Sequence, residues 1–145
     1  MSSTTFSGPV TSTNGFIGSL TGSVTATHPT TAAVNASATA TAAQVATGYI
    51  TTTSAAATTI TLPTGTLLGA ELGAAQGTVF ELFIDNTAGA STVTVAAAVN
   101  GILSAAAVTT AGSFGDLSIA AGATGLARYT LMFSSATAYV FTRTA

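Results

Sequence analysis

The chain has 145 residues carrying four carboxylates, two arginines, one histidine, no lysine and no cysteine, for a formal net charge of -2. Charged residues make up 4% of it, against about 25% in an ordinary soluble domain, and this removes most of the side chains from which active sites are assembled. The lack of cysteine excludes a disulfide scaffold and thiolate metal centres, and two isolated arginines cannot neutralise a nucleic-acid backbone.

Residues 1–47 are rich in Ser, Thr, Ala and Gly, and their main apolar residues are Phe6, Val10, Phe16, Ile17, Leu20 and Val24. Such a segment cannot bury enough surface on itself to offset its ordering entropy. The turn signals Gly8-Pro9 and Asn14-Gly15 sit just ahead of apolar residues, so the segment reads as an extended arm that orders against a partner. The opening Met1-Ser2-Ser3-Thr4-Thr5-Phe6 has neither a basic start nor an apolar run behind it. It does not read as a secretion signal, and the protein is expected to accumulate in the cytoplasm of the cell that makes it.

A short helix is expected at Thr41 to Ala46, with Thr41 as N-cap and Gly48 as terminator. From Tyr49 the pattern turns to β, and residues 48–145 read as one domain. Tyr49 to Thr53 and Thr58 to Leu62 are β-branched runs, the second closed by Pro63. Leu67, Leu68 and Leu72 have helical spacing, weakened by Gly65, Gly69 and Gly73. Val79 to Asp85 alternates, with Phe80, Leu82 and Ile84 on one face and Val79, Glu81, Phe83 and Asp85 on the other. The turn residues from Asp85 to Gly89 predict a hairpin onto Ser91 to Val95.

Ile102-Leu103 and Leu117 to Ile119 are weaker strands. The apolar stretch Ala96 to Val108 around the first is broken by Asn100, Gly101 and Ser104 and falls short of the roughly 18 residues that cross a bilayer. No membrane partner is expected. In Leu126 to Ser134 the residues Ala127, Tyr129, Leu131 and Phe133 share a face, and Tyr139 to Thr144 can pair with this run. The sum is an all-β fold, an antiparallel β-sandwich or small barrel with an extended N-terminal arm.

No nucleophile, base and orienting acid come together in this reading. His28 is the sole imidazole and lies in the arm beside Pro29. Glu81 and Asp85 share a strand face about 13 Å apart, too far for a retaining carboxylate pair and beyond the usual inverting range. Asp85, Asn86 and Thr87 offer a single carboxylate to a hard cation, which makes a weak calcium site. No cofactor, metal or enzymatic activity is expected. Thr-x-Thr triplets begin at Thr11, Thr25 and Thr39 with equal spacing, but the interval is not continued, which argues against a regular solenoid and an ice-binding array.

Several segments carry a family resemblance: Phe6-Ser7-Gly8-Pro9-Val10-Thr11-Ser12-Thr13-Asn14-Gly15-Phe16-Ile17-Gly18, Thr58 to Thr64, Phe80 to Val95, and Gly122 to Phe141. In these the chain resembles small tailed-bacteriophage virion proteins that decorate or cement the capsid, including some that form head fibres. The resemblance implies a homotrimer on the capsid exterior, where shell subunits meet, bound to the major capsid protein. The expected capsid-binding residues of the arm are Phe6, Val10, Phe16, Ile17 and Leu20. Strands apolar on both faces need a second cover, and Phe83, Tyr129, Leu131 and Phe133 are the expected oligomer interface. A different reading is a surface-adhesion or carbohydrate-binding module at a fibre tip, for which Tyr49, Tyr129 and Tyr139 are the available polar aromatics.

Overall fold

The computed structural model describes residues 30–103 and 117–145. His28 and the arm residues Phe6, Val10, Phe16, Ile17 and Leu20 lie outside the described residues.

The first half of the fold is a stack of three coils, each giving one strand to each of two facing sheets. The first coil supplies β1 (Ala32–Ala33) and β2 (Ala38–Thr39), the second β3 (Tyr49–Thr51) and β4 (Thr58–Leu62), the third β5 (Val79–Asp85) and β6 (Val93–Ala97). Successive coils pair in parallel: Ala32, Ile50 and Ile84 are aligned across the larger sheet, and Ala38, Ile60 and Val95 across the smaller. Parallel neighbours need long crossover connections. Here each crossover runs through the opposite sheet and a helix, α1 (Ala42–Ala46) after the first coil and α2 (Gly65–Leu72) after the second.

Four further strands close the molecule: β7 (Gly101–Leu103), β8 (Ser118–Ile119), β9 (Leu126–Ser135) and β10 (Ala138–Arg143). The larger sheet has the order β1-β3-β5-β9-β10-β7 and the smaller β2-β4-β6-β8. Neither sheet closes on itself, and β9 and β10 form the hairpin expected at the end of the chain.

The expected antiparallel sandwich or barrel is therefore corrected to two open sheets of mixed direction. The expected hairpin between Val79–Asp85 and Ser91–Val95 is corrected too, because β5 and β6 lie in different sheets and β5 takes β9 as its antiparallel partner. The connection between them is an arch over the core, and it is held by Asn86. This side chain is fully buried, and its Nδ2 donates to the carbonyls of Ser91 at 2.9 Å and Ala120 at 3.0 Å. The arches of neighbouring coils are tied in turn: Ser54 Oγ donates to the Asn35 carbonyl at 3.1 Å, and the Ala90 N–H donates to the Ser54 carbonyl at 3.1 Å.

Strand alternation builds the core. Ile50, Leu82 and Ile84 of the larger sheet face Ile60, Leu62, Val93 and Val95 of the smaller, all fully buried. Tyr129, Leu131, Phe133, Tyr139 and Phe141 extend that layer across β9 and β10. The helices are set by their caps. Thr41 Oγ1 accepts the Gln44 N–H at 3.1 Å while Gln44 Oε1 accepts the Thr41 N–H at 2.8 Å, a reciprocal capping box. The α2 glycines sit at a close approach: a Cβ at Gly69 would stand 1.9 Å from the Ala136 carbonyl oxygen, and one at Gly65 2.2 Å from that of Thr137. Glycine lets α2 lie directly on the β9–β10 turn.

Candidate functional site

Alternation that buries one face of each strand turns the other outward, and the outward face of the larger sheet carries most of the chain's distinctive chemistry. Its described charged side chains are Glu81, Asp85 and Arg128, with Glu71 and Arg143 the other described charges. Four rows of register partners cross this face, of which the row from Thr51 through Asp85 to the exposed Leu126 lies at one end. Of the other three, one runs from Tyr49 through Phe83 to Arg128, a second pairs Glu81 with Thr130 and Thr142, and a third runs from Val79 through Met132 to Val140.

The Tyr49 row is held by hydrogen bonds. The Tyr49 hydroxyl donates to Asp85 Oδ2 at 2.6 Å, and Asp85 Oδ1 accepts from the Thr87 N–H at 2.8 Å and its hydroxyl at 2.6 Å. Bonds from Thr87 and Tyr49 hold the Asp85 carboxyl below its ordinary value. Donation to that carboxylate, joined by partial burial and the adjacent negative charge, raises the Tyr49 phenol. At the other end Arg128 Nε donates to Thr144 Oγ1 at 3.1 Å, and the guanidinium lies 3.9 Å from Glu81 Oε1, with side chains 41% and 54% exposed. An ion pair this open contributes under about 1 kcal/mol, and its effect is to aim the two groups.

The Val79 row is apolar and open: Val79 and Met132 face each other across β5 and β9 at 55% and 54% exposure. Glu81 stands in the adjoining row of the same face, but Val79 and Met132 together form an exposed apolar pair of the kind that another protein covers.

The expected interface residues separate on this geometry. Phe83 points outward and is half-buried, whereas Tyr129, Leu131 and Phe133 are spent in the chain's own core, leaving their side chains no area for a partner. Val79, Met132 and Val140 were missed because an outward apolar face and an inward one look alike until register is known. Tyr129 and Tyr139, two of the three tyrosines available to a sugar-binding reading, are likewise buried in the core, and Tyr49 is half-buried. Among the described residues, no three His, Cys, Asp or Glu side chains gather in a metal-binding group, and no helix is long and apolar enough to cross a membrane.

No family model matches the chain, and neither the curated proteins nor the solved structures provide a match.

Proposed function

We propose that this protein is a non-enzymatic virion structural protein that binds the outside of a bacteriophage capsid as a trimer and cements neighbouring subunits of the major capsid protein. The observation that carries the reading is the apolar row Val79–Met132–Val140, exposed at Val79 and Met132, on a chain with few charged residues. Burying it against a second copy gives oligomerisation a hydrophobic driving force, at about 25 cal/mol for each Å² removed from water. Low net charge removes much of the repulsion between copies. The sequence resemblance to capsid decoration proteins supplies the partner.

In this reading the arm makes the shell contact through Phe6, Val10, Phe16, Ile17 and Leu20. Each large side chain buried contributes about 2 kcal/mol before ordering costs. Three arms on one trimer raise the affinity further through effective concentration. The protein is assembled in the host cytoplasm and ends on the capsid exterior.

The test is to add purified protein to undecorated capsids and measure occupancy by sedimentation and gel densitometry, with and without residues 1–20. Full-length protein is expected to saturate the shell and the truncated chain to stay in the supernatant. Equal occupancy by both would sink the arm as the attachment element. Failure of the intact protein to sediment with any capsid of its host's phages would sink the cement reading itself.

A further inference from the structure

The stack of coils begins at an unfinished end. β1 and β2 are the first strands of the larger and the smaller sheet, and the outer edge of each has no strand partner among the described residues. Both edges lie at the same end of the stack, because β1 joins β3 and β2 joins β4 as the first coil joins the second. Exposed edges are normally blunted by charge, proline or a bulge, yet residues 32–40 contain no charged residue and no proline. The inward side is uncovered there as well. Ala38 shares its register with Ile60 and Val95, which are fully buried, but Ala38 itself is exposed.

The sequence just upstream has the pattern of another coil. Residues 18–27 match residues 32–41 at an interval of 14 positions, with Ser23, Thr25, Ala26 and Thr27 identical to Ser37, Thr39, Ala40 and Thr41. The match puts Leu20 at the place of the buried Val34 and Val24 at the place of Ala38. Ser23 falls at the place of Ser37, whose Oγ accepts the Thr59 N–H of the next coil at 3.0 Å, so the hydroxyl that ties one coil to the next is repeated. The interval fits too. Ala32 and its register partner Ile50 stand 18 positions apart with the five-residue α1 between them, and an interval of 14 is close to that coil with its helix left out. Residues 28–31 then cross from one sheet to the other; four extended residues reach about 13 Å, and facing sheets stand about 10 Å apart.

We infer that the open end of the coil stack, the free edges of β1 and β2, is the docking site for residues 18–27 of the same chain, which add one parallel strand to each sheet. The described residues begin at position 30, directly ahead of β1, so the chain enters the stack at this end. Leu20 and Val24 cover Val34 and Ala38, and two edges that would otherwise recruit foreign strands are paired. The repeat selects this occupant over a second copy, which would bring an edge but no matching coil. An earlier occurrence of the pattern, at residues 4–13, has Pro9 where Ser37 stands. It lacks the hydroxyl that ties coil to coil and is left to the shell contact. Leu20 then works inside the stack, and that contact falls to Phe6, Val10, Phe16 and Ile17. The inference does not depend on the capsid reading, because the edges and the repeat belong to this chain alone.

The chain has no cysteine, so an introduced pair reports position without background. Thr25→Cys with Thr39→Cys places thiols on neighbouring strands about 4.8 Å apart, within the reach of a disulfide. The full-length double variant is oxidised at low concentration and read by intact mass and non-reducing electrophoresis. At least tenfold more intramolecular disulfide is expected than in Thr25→Cys with Thr94→Cys, whose second thiol lies on the same sheet two coils further in. As a second measurement, Leu20→Asp should lower the melting temperature by about 5 °C or more, because a charge enters the covered end, whereas Phe6→Asp should leave it unchanged. No disulfide above the control, disulfide-linked dimers in place of the intramolecular bond, or equal melting of wild type and Leu20→Asp would each overturn the inference. No capsid is present in these measurements, so their failure leaves the cement reading standing, and failure to decorate capsids leaves this one standing.

Discussion

The hydroxyl of Tyr139 donates to the carbonyl of Pro63 at 2.9 Å, joining positions 76 residues apart in the chain. The bond pins the last hairpin to the junction where β4 turns into α2. Burial around it pushes the Tyr139 phenol up to about 12. A raised value in the folded state means that the fold favours the protonated phenol, whereas the unfolded chain titrates near about 10. The contribution is therefore complete below about pH 10 and is lost as the pH rises through about 12, with about 3 kcal/mol at stake. Urea unfolding between neutral and strongly alkaline pH should show this decline. Tyr139→Phe should flatten it while costing about 1–2 kcal/mol at neutral pH, since the Pro63 carbonyl loses its donor. Parallel pH profiles for wild type and variant would contradict the assignment.

Gly69→Ala sets two effects against each other. Alanine improves helix propensity by about 1 kcal/mol, but its Cβ would stand 1.9 Å from the Ala136 carbonyl oxygen and 3.0 Å from the carbonyl carbon. Backbone cannot swing aside as a side-chain end can, and overpacking of this kind costs about 3 kcal/mol. The clash wins, and calorimetry should record a net loss of about 2 kcal/mol. Stabilisation would mean that α2 can lift off the turn.

Asn86→Asp preserves shape and removes donors. Nδ2 faces the carbonyls of Ser91, Ile119 and Ala120, and a carboxylate there would meet acceptors only. A loss of about 3 kcal/mol or more is expected at neutral pH. The introduced group should stay protonated in the fold well above about 4, so the deficit should shrink as the pH is lowered. A thermal-melt series that shows the same deficit at acid and neutral pH would refute the account.

Val79→Glu combined with Met132→Glu should leave the fold intact, since both side chains are more than half exposed. Assembly should be lost, because two like charges would enter a buried contact from every copy. Light scattering after size exclusion is expected to give a multiple of the 14.0 kDa chain mass for wild type, unchanged at about 1 M salt where charge contacts are screened, and the single-chain mass for the double variant. An oligomer that survives both substitutions would place the interface elsewhere.

Local pattern made most elements legible before their arrangement was. The Thr41 N-cap of α1, the alternation of β5 and the β9–β10 hairpin follow from residues close together in the chain. Pairing did not. The turn residues after Asp85 suit a hairpin and an arch equally, and what decides is Asn86, whose partners at Ile119 and Ala120 lie more than 30 positions away. Parallel stacking was hidden for a related reason. Thr39, Thr61 and Ala96 are aligned across the smaller sheet, but the helices and arches between coils differ in length, so equal spacing in space leaves no equal spacing in sequence. The candidate sites suffer most, because telling the outward Val79, Phe83 and Met132 from the inward Tyr129, Leu131 and Phe133 requires knowing which way each strand faces.

The coil stack also orders events during synthesis. β3 finds β1 already made, and β5 finds β3; on the smaller sheet β4 and β6 have the same relation to the strands before them. Each coil can dock as it leaves the ribosome, so long-range parallel pairing is built from a succession of short searches. β7 is the exception. Its partner is β10, and at their junction Gly101 leaves room for the Tyr139 ring, so residues 101–103 must wait for the final hairpin. A product truncated before β10 would lack the only strand partner of β7 among the described residues and would leave that edge open.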